Sequence, residues 1–243
     1  MKDEGFIHEV FFSFQGEGIH VGRLQLFIRL AGCNLGCRYC DSVPAQTHPK
    51  KFSIEGGAVS NPVAAKDLFN RVRGLIEGVK SLHAISITGG EPLEQPAFLE
   101  SLLRLRPSWG VPVYLETNGL HPDEAESIFP LVDIISLDIK LPSLCAEDDF
   151  LALYDKTLPA ASGRELFCKV VVADGMDRIE FGRAVDLIAR FDPGVTLVIQ
   201  PVSPLGGCVP PAPMLLGELH SEASERLRDV RVIPQCHPLM GIP

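Results

Sequence analysis

No stretch of this chain stays apolar for the roughly 18 residues that a membrane-crossing helix needs. The opening residues, MKDEGFIHEV, lack the charged-then-apolar layout of an export signal. Both absences lead us to expect a soluble, cytoplasmic protein. Basic residues are also short: 22 Lys and Arg stand against 31 Asp and Glu, giving a net charge of −9. That sign is wrong for a protein held to duplex DNA by phosphate neutralisation, and neither nucleic acid nor membrane is an expected partner. A small anionic substrate in a locally basic pocket stays open. Internal repeats and low-complexity tracts are missing, which excludes fibrous and mucin-like classes. Neither G-x-S-x-G nor H-E-x-x-H occurs, so the common serine-hydrolase and zinc-hydrolase arrangements are missing too.

What is present is a chain able to bury a sizeable core, with 243 residues of which 46% are hydrophobic. With no linker in sight, residues 1–243 read as one domain. The runs Leu24–Leu30, His83–Thr88, Pro112–Glu116, Val132–Ile139, Leu166–Ala173 and Val195–Gln200 are almost continuously hydrophobic, as strands covered on both faces should be. Helical spacing lies between them. Asn61 and Pro62 read as a cap and first turn, ahead of an apolar stripe at Ala65, Leu68, Phe69, Val72, Leu75, Ile76 and Val79. Weaker helical patterns cover Pro96–Leu105, Asp123–Phe129, Glu147–Tyr154, Arg178–Arg190 and Met214–Leu227. The alternation predicts an α/β fold with a parallel sheet and helices outside. Periodicity alone does not separate an open sheet from an incomplete barrel.

Seven cysteines is an odd number, and without an export signal a disulfide framework is not expected. Cys33, Cys37 and Cys40 form a C-x3-C-x2-C pattern on a Gly-containing loop after the first expected strand. Three thiolates on one loop can each ligate an iron of a cubane cluster, leaving the fourth iron open. Zinc is the alternative, with His48 or Cys236 as fourth ligand. A Cys37/Cys40 redox pair would leave Cys33 unexplained. Cys145, Cys168 and Cys208 read as inert; His8, His20, His121 and His220 read as surface or satisfied histidines. Trp109 carries no readable message.

Polar motifs gather at strand ends: Thr88-Gly-Gly-Glu-Pro92, Glu116-Thr-Asn-Gly119, Asp138-Ile-Lys140 and Gln200-Pro-Val-Ser203. Singly each could be a turn or a surface ion pair. Together they occupy the carboxyl ends of successive parallel strands, where α/β proteins build sites. Ahead of the cysteines, Gln15-Gly-Glu-Gly18 leads into Phe27-Ile-Arg29-Leu30. Arg29 in an apolar strand needs an anion, either Glu17, another internal acid, or a substrate carboxylate.

The cysteine loop, with Tyr39 before its third cysteine, resembles the radical S-adenosylmethionine superfamily. QGEG, FIRL, GCNLGCRYCDS, TGGEP, ETNG, DIK, IQP and the tail Val232–His237 together resemble the 7-carboxy-7-deazaguanine synthase family across most of the chain. This resemblance implies a partial (β/α)6-type barrel. Residues 1–23 would form an extension to the substrate site, and 201–243 a tail that closes it. It implies a 4Fe–4S cluster on Cys33, Cys37 and Cys40, and S-adenosylmethionine held by Gly90, Asp138, Lys140 and Gln200, with Tyr39 alongside. It implies Mg²⁺ at Ser42, and a pterin held by Phe14, Gln15, Gly16, Arg29, Thr88 and the Pro243 carboxylate. The implied activity is a lyase reaction: 6-carboxy-5,6,7,8-tetrahydropterin becomes 7-carboxy-7-deazaguanine with loss of ammonia, in queuosine biosynthesis. A flavodoxin- or ferredoxin-type electron donor and a homodimer follow from the same resemblance. Gln235-Cys-His-Pro departs from the family's tail, where a threonine and a lysine flank the histidine. The rival readings are a glycyl-radical-enzyme activase or other radical enzyme, and a non-catalytic zinc- or Fe–S-binding protein.

Overall fold

Each of the six apolar runs is a strand in the computed structural model, which describes residues 3–145 and 149–242. In chain order the strands are β1 (Glu4–Gly5), β2 (Ile7–Phe14), β3 (Leu24–Leu30), β4 (Lys51–Ile54), β5 (Gly57–Ser60) and β6 (Val63–Ala64). Then come β7 (Ala84–Gly89), β8 (Val113–Thr117), β9 (Ile134–Asp138), β10 (Glu165–Val172), β11 (Thr196–Pro201) and β12 (Val230–Val232). The α-helices are α1 (Ala65–Ile76), α2 (Pro96–Leu105), α3 (Pro122–Ile128) and α4 (Pro142–Cys145), then α5 (Tyr154–Ala160), α6 (Arg178–Phe191), α7 (Pro213–Ser224) and α8 (His237–Met240).

One sheet of ten strands runs β12-β11-β10-β9-β8-β7-β3-β2-β4-β5. From β3 through β7 to β12 every pairing is parallel. β2 joins β3 antiparallel, with β4 and β5 beyond it as an edge hairpin. The sheet has two free ends and does not close, so the architecture is a parallel sheet with helices and an open side. Amphipathic α1 shows how the helices attach. Its Leu68, Phe69, Val72 and Ile76 are buried while Lys66, Asp67 and Arg71 face water, the spacing of one apolar stripe.

Several expectations need correction. Asn61 does not cap α1, which starts four residues later. Its amide side chain instead secures the start of β2, accepting from the Ile7 N–H (3.1 Å) and donating to the Ile7 carbonyl (2.7 Å). Val79 lies beyond the end of α1. The helix expected over 147–154 begins outside the described residues; its remainder is a 3₁₀ turn, and the α-helix runs from Tyr154 to Ala160. Segment 43–58 becomes a 3₁₀ turn at Val43–Gln46 and most of the β4–β5 hairpin. Trp109 is buried and stacks on Phe69 at 5.5 Å between ring centroids, so it seals α1 against the end of α2.

Candidate active site

Strand alternation sends every second side chain of the parallel strands to one face. In register there, Arg29 neighbours Thr88, Asp138 neighbours Lys169, and Val171 neighbours Gln200. All but Val171 are polar or charged, and all but Lys169, in the middle of β10, lie near the carboxyl ends of their strands. With the cysteine loop they line one cavity of about 430 Å³.

The cysteine loop is fixed by backbone. The Gly32 N–H donates to the Ala45 carbonyl (2.8 Å), and the Gly32 carbonyl accepts from the Glu91 N–H (2.8 Å). A β-carbon at Gly90 would lie 1.9 Å from the Gly32 carbonyl oxygen, so the TGGEP turn and the cysteine loop touch main chain to main chain. Buried Glu91 ties this turn to the next strand end. It accepts from Leu93 N (2.9 Å), Thr117 Oγ1 (2.6 Å) and Asn118 N (2.7 Å). Burial raises its pKa despite those donors.

Cys33, Cys37 and Cys40 all face the cavity. Burial pushes the Cys33 thiol up to about 11, and also raises Cys40. Cys37 is lowered to about 6, chiefly by a hydrogen bond from Cys145, whose sulfur lies 3.3 Å away. Among the described residues no three His, Cys, Asp or Glu side chains converge on a single-ion site. One zinc ion needs such convergence. His48, one suggested fourth ligand, stacks on Phe6 and packs against Gly32 instead.

Beside the thiols, Asp138 accepts from Lys140 Nζ (2.8 Å) and Lys169 Nζ (3.0 Å). Burial opposes its charge, but the two ammonium groups hold its carboxyl below the usual range. Lys140 also sits over the Tyr39 ring, 5.2 Å from the centroid. This Asp138–Lys140 pair is therefore interior, not the surface pair the motif alone allows. Asp138 Oδ1 and Gln200 Oε1 are buried with no partner among the described residues. Orphaned acceptors in a polar cavity mark the place of a ligand's donors. Three loop thiols, two orphaned acceptors and a cradle with no room for a side chain at Gly90 fit a 4Fe–4S cluster with S-adenosylmethionine beside it.

Across the cavity, Gln15 Nε2 donates to Glu116 Oε1 (2.8 Å) and Gln25 Oε1 (3.1 Å), while Thr88 Oγ1 donates to Glu116 Oε2 (2.8 Å). Burial, and then the charge of Glu17, raise the pKa of Glu116. Phe14, 47% exposed, stands at the rim. Gly16 lies under the tail: its carbonyl accepts from the Cys236 N–H (2.8 Å). Gln235 Nε2 donates to Glu17 Oε1 (2.7 Å) and Asp41 Oδ2 (2.9 Å), and His237 Nε2 stands 3.5 Å from Asp41. Ser42 accepts from Arg29 Nη1 (2.9 Å) and donates to Asp41 Oδ1 (3.0 Å).

Residues 27–143 match the family described as the Radical SAM superfamily. The chain is 38% identical to 7-carboxy-7-deazaguanine synthase of Geobacter sulfurreducens, over 97% of this chain and 96% of the relative. The chain belongs to the 7-carboxy-7-deazaguanine synthase family. It is 38% identical to the family's member in Methanothermobacter thermautotrophicus, over 97% of each chain. The fold of QueE from Escherichia coli superposes with a TM-score of 0.60 at 22% identity, covering 96% and 95% of the two chains. Membership makes the chain a radical S-adenosylmethionine enzyme of 7-deazapurine biosynthesis, with a 4Fe–4S cluster and S-adenosylmethionine as cofactors.

The cavity brings together the residues that the family resemblance singles out, apart from Pro243, which lies outside the described residues. The partner of Arg29 is Glu9 (Nε to Oε1, 2.8 Å). Glu17 pairs with Lys169 instead. Lys169 is a further site residue that the motifs did not reveal. A lone lysine in the apolar run LFCKVVVA was the available signal, by the same argument that exposed Arg29. Glu9 was hidden because β2 itself was not recognised.

Proposed function

We propose that this chain converts 6-carboxy-5,6,7,8-tetrahydropterin to 7-carboxy-7-deazaguanine with loss of ammonia. The observation that carries the reading is one cavity lined by the three loop cysteines and, across it, by Arg29 and a polar bed. Cys33, Cys37 and Cys40 hold the cluster. Asp138, Gln200, Lys140 and the Gly90 main chain hold S-adenosylmethionine beside it. When bound, the pair supplies a carbon-centred radical by one-electron cleavage of the sulfonium.

The protein's own part is to bind, orient and shield. Arg29 uses Nε on Glu9 and Nη1 on Ser42, and among the described residues Nη2 has no protein partner. It offers that donor to the substrate carboxylate, a charge-assisted bond in a half-buried place. Ser42 and neighbouring Asp41 supply hard oxygens suited to Mg²⁺, which keeps other positions for water and substrate carboxylate. Gln15, Thr88 and Glu116 present donors and acceptors to the pterin ring, with Phe14 and Gly16 against its edge. The Pro243 carboxylate is assigned to the same ring. The QGEG loop and the tail keep water from the reacting atoms.

The domain reading follows: 1–23 furnishes substrate contacts and 201–243 closes the site. On family grounds the electron comes from a flavodoxin- or ferredoxin-type protein, and the assembly is a cytoplasmic homodimer. Among the described residues no helix is long and apolar enough to cross a membrane.

Anaerobically reconstituted protein, given the pterin, S-adenosylmethionine, Mg²⁺ and a reductant, is expected to form the deazaguanine. Nucleoside cleavage without that product rejects the substrate. Colourless protein carrying one zinc rejects the cluster.

A further inference from the structure

Cys145 is a buried cysteine that the proposed chemistry does not use, and its sulfur lies 3.3 Å from that of Cys37. The approach is built into the fold. The Arg38 N–H, next to Cys37, donates to the carbonyl of Leu144, next to Cys145 (3.3 Å), and Arg38 Nη2 donates to the Ser143 carbonyl (3.2 Å). From the other side the loop is pinned by Gly206, where a β-carbon would lie 1.7 Å from the Arg38 carbonyl oxygen. Helix α4 is itself anchored, since Ser143 donates to Glu180 on α6 through both its N–H (3.0 Å) and its hydroxyl (2.7 Å). Two thiols held on tethered segments need to close by little more than an ångström to reach the S–S length of about 2.0 Å. The loop's other two cysteines are placed differently. Cys33 turns toward Asn34, 4.0 Å from Oδ1, and Cys40 is joined to Cys37 through main chain, N–H to carbonyl at 3.1 Å.

We propose that Cys37 and Cys145 form a reversible disulfide whenever the cluster is absent, and that this bond and the cluster exclude one another. The step is thiol–disulfide exchange with a low-molecular-weight disulfide such as oxidised glutathione. One cysteine sulfur attacks the small disulfide, releasing one reduced thiol and leaving a mixed disulfide. The second sulfur then displaces the other small thiol, so two protein thiols are oxidised, one disulfide is reduced to two thiols, and both protons leave with the products. With Cys37 tied to Cys145 the loop has two free thiolates instead of three, too few for the cluster. In exchange, Cys37 is protected from the irreversible acids that lie beyond sulfenic acid on the oxidation ladder. Mutual exclusion rests on the cluster reading; the sulfur pairing itself does not.

The test is peptide mapping of the full-length protein without reduction. One sample is freed of iron by chelation and one is reconstituted, and both are treated anaerobically with oxidised glutathione. The iron-free protein is expected to yield a Cys37–Cys145 cross-linked peptide, and the reconstituted protein to yield none. Iron uptake by the cross-linked form should be lost and return after treatment with a dithiol. Cys145→Ser should stop at a glutathione adduct on Cys37, while Cys168→Ser, also buried, should still cross-link. A bond from Cys37 to Cys33 or Cys40, or glutathione adducts without any cross-link in the wild type, overturns the pairing. Cross-linked protein that still takes up a full complement of iron overturns the exclusion. Failure to make deazaguanine would count against the proposed function while leaving the pairing untouched.

Discussion

Lys169 brings a positive charge into the middle of β10, where only 9% of the residue is exposed. Burial works against its charge, but Asp138 and Glu17 on either side raise its pKa, so it stays an ammonium ion. Lys169→Met would take the cation from Glu17 and leave Asp138 with Lys140 alone, and breaking a buried pair in this way costs about 3–5 kcal/mol. Denaturant unfolding should show that loss. A variant with unchanged stability would mean that neither carboxylate depends on the lysine. Arg29→Met should act differently. It removes the donor proposed for the substrate carboxylate, so KM for the pterin should rise by roughly tenfold or more, as losing one charged hydrogen bond of about 1.5–3 kcal/mol implies. S-adenosylmethionine cleavage without substrate should be unchanged. Arg29 was legible because one charge in an apolar strand demands a partner, but the sequence offered Glu17, which the fold hands to Lys169. Choosing between acids distant in sequence requires knowing which strands are neighbours.

At the scale of elements, the six core strands were readable because burial on both faces leaves a nearly unbroken hydrophobic run. β2, β4 and β5 escaped because each is only partly covered, so polar residues such as His8, Glu9 and Ser53 interrupt the pattern. Trp109 escaped for another reason: the turn around it is polar, and what buries it is Phe69, forty residues earlier. The tail shows how one element reports on pH. A hydrogen bond to Asp41 raises the pKa of His237, against burial, which lowers it. A group with a raised folded pKa stabilises fully below its unfolded value, near 6.5, and loses that contribution as pH climbs through the folded one. Protection of amides in residues 235–241, measured as exchange relative to the intrinsic rate at each pH, should therefore fall from about pH 6.5 upward, and His237→Gln should flatten the profile. Equal protection at both ends of the range would show that the imidazole does not hold the tail.

For the molecule as a whole, the free edges of the sheet leave a side that strands do not wall. The segment Gln15–His20 and the tail from Gln235 pack there, joined to each other through Gly16 and Glu17 and to β10 through Glu17, Gly18 and His20. In the proposed reading the cluster and S-adenosylmethionine are held by the cysteine loop and the strand ends, while the tail covers the substrate. Truncation after Ile233 should thus leave the iron content and a slow, substrate-independent cleavage of S-adenosylmethionine, while abolishing deazaguanine formation. Product made by the truncated chain would mean that the tail is ornamental. The joining of Gly16 to Cys236 also ties together two segments far apart along the chain. The rim of the chamber is therefore complete only when both have settled against the sheet, and loosening either one is expected to loosen the other.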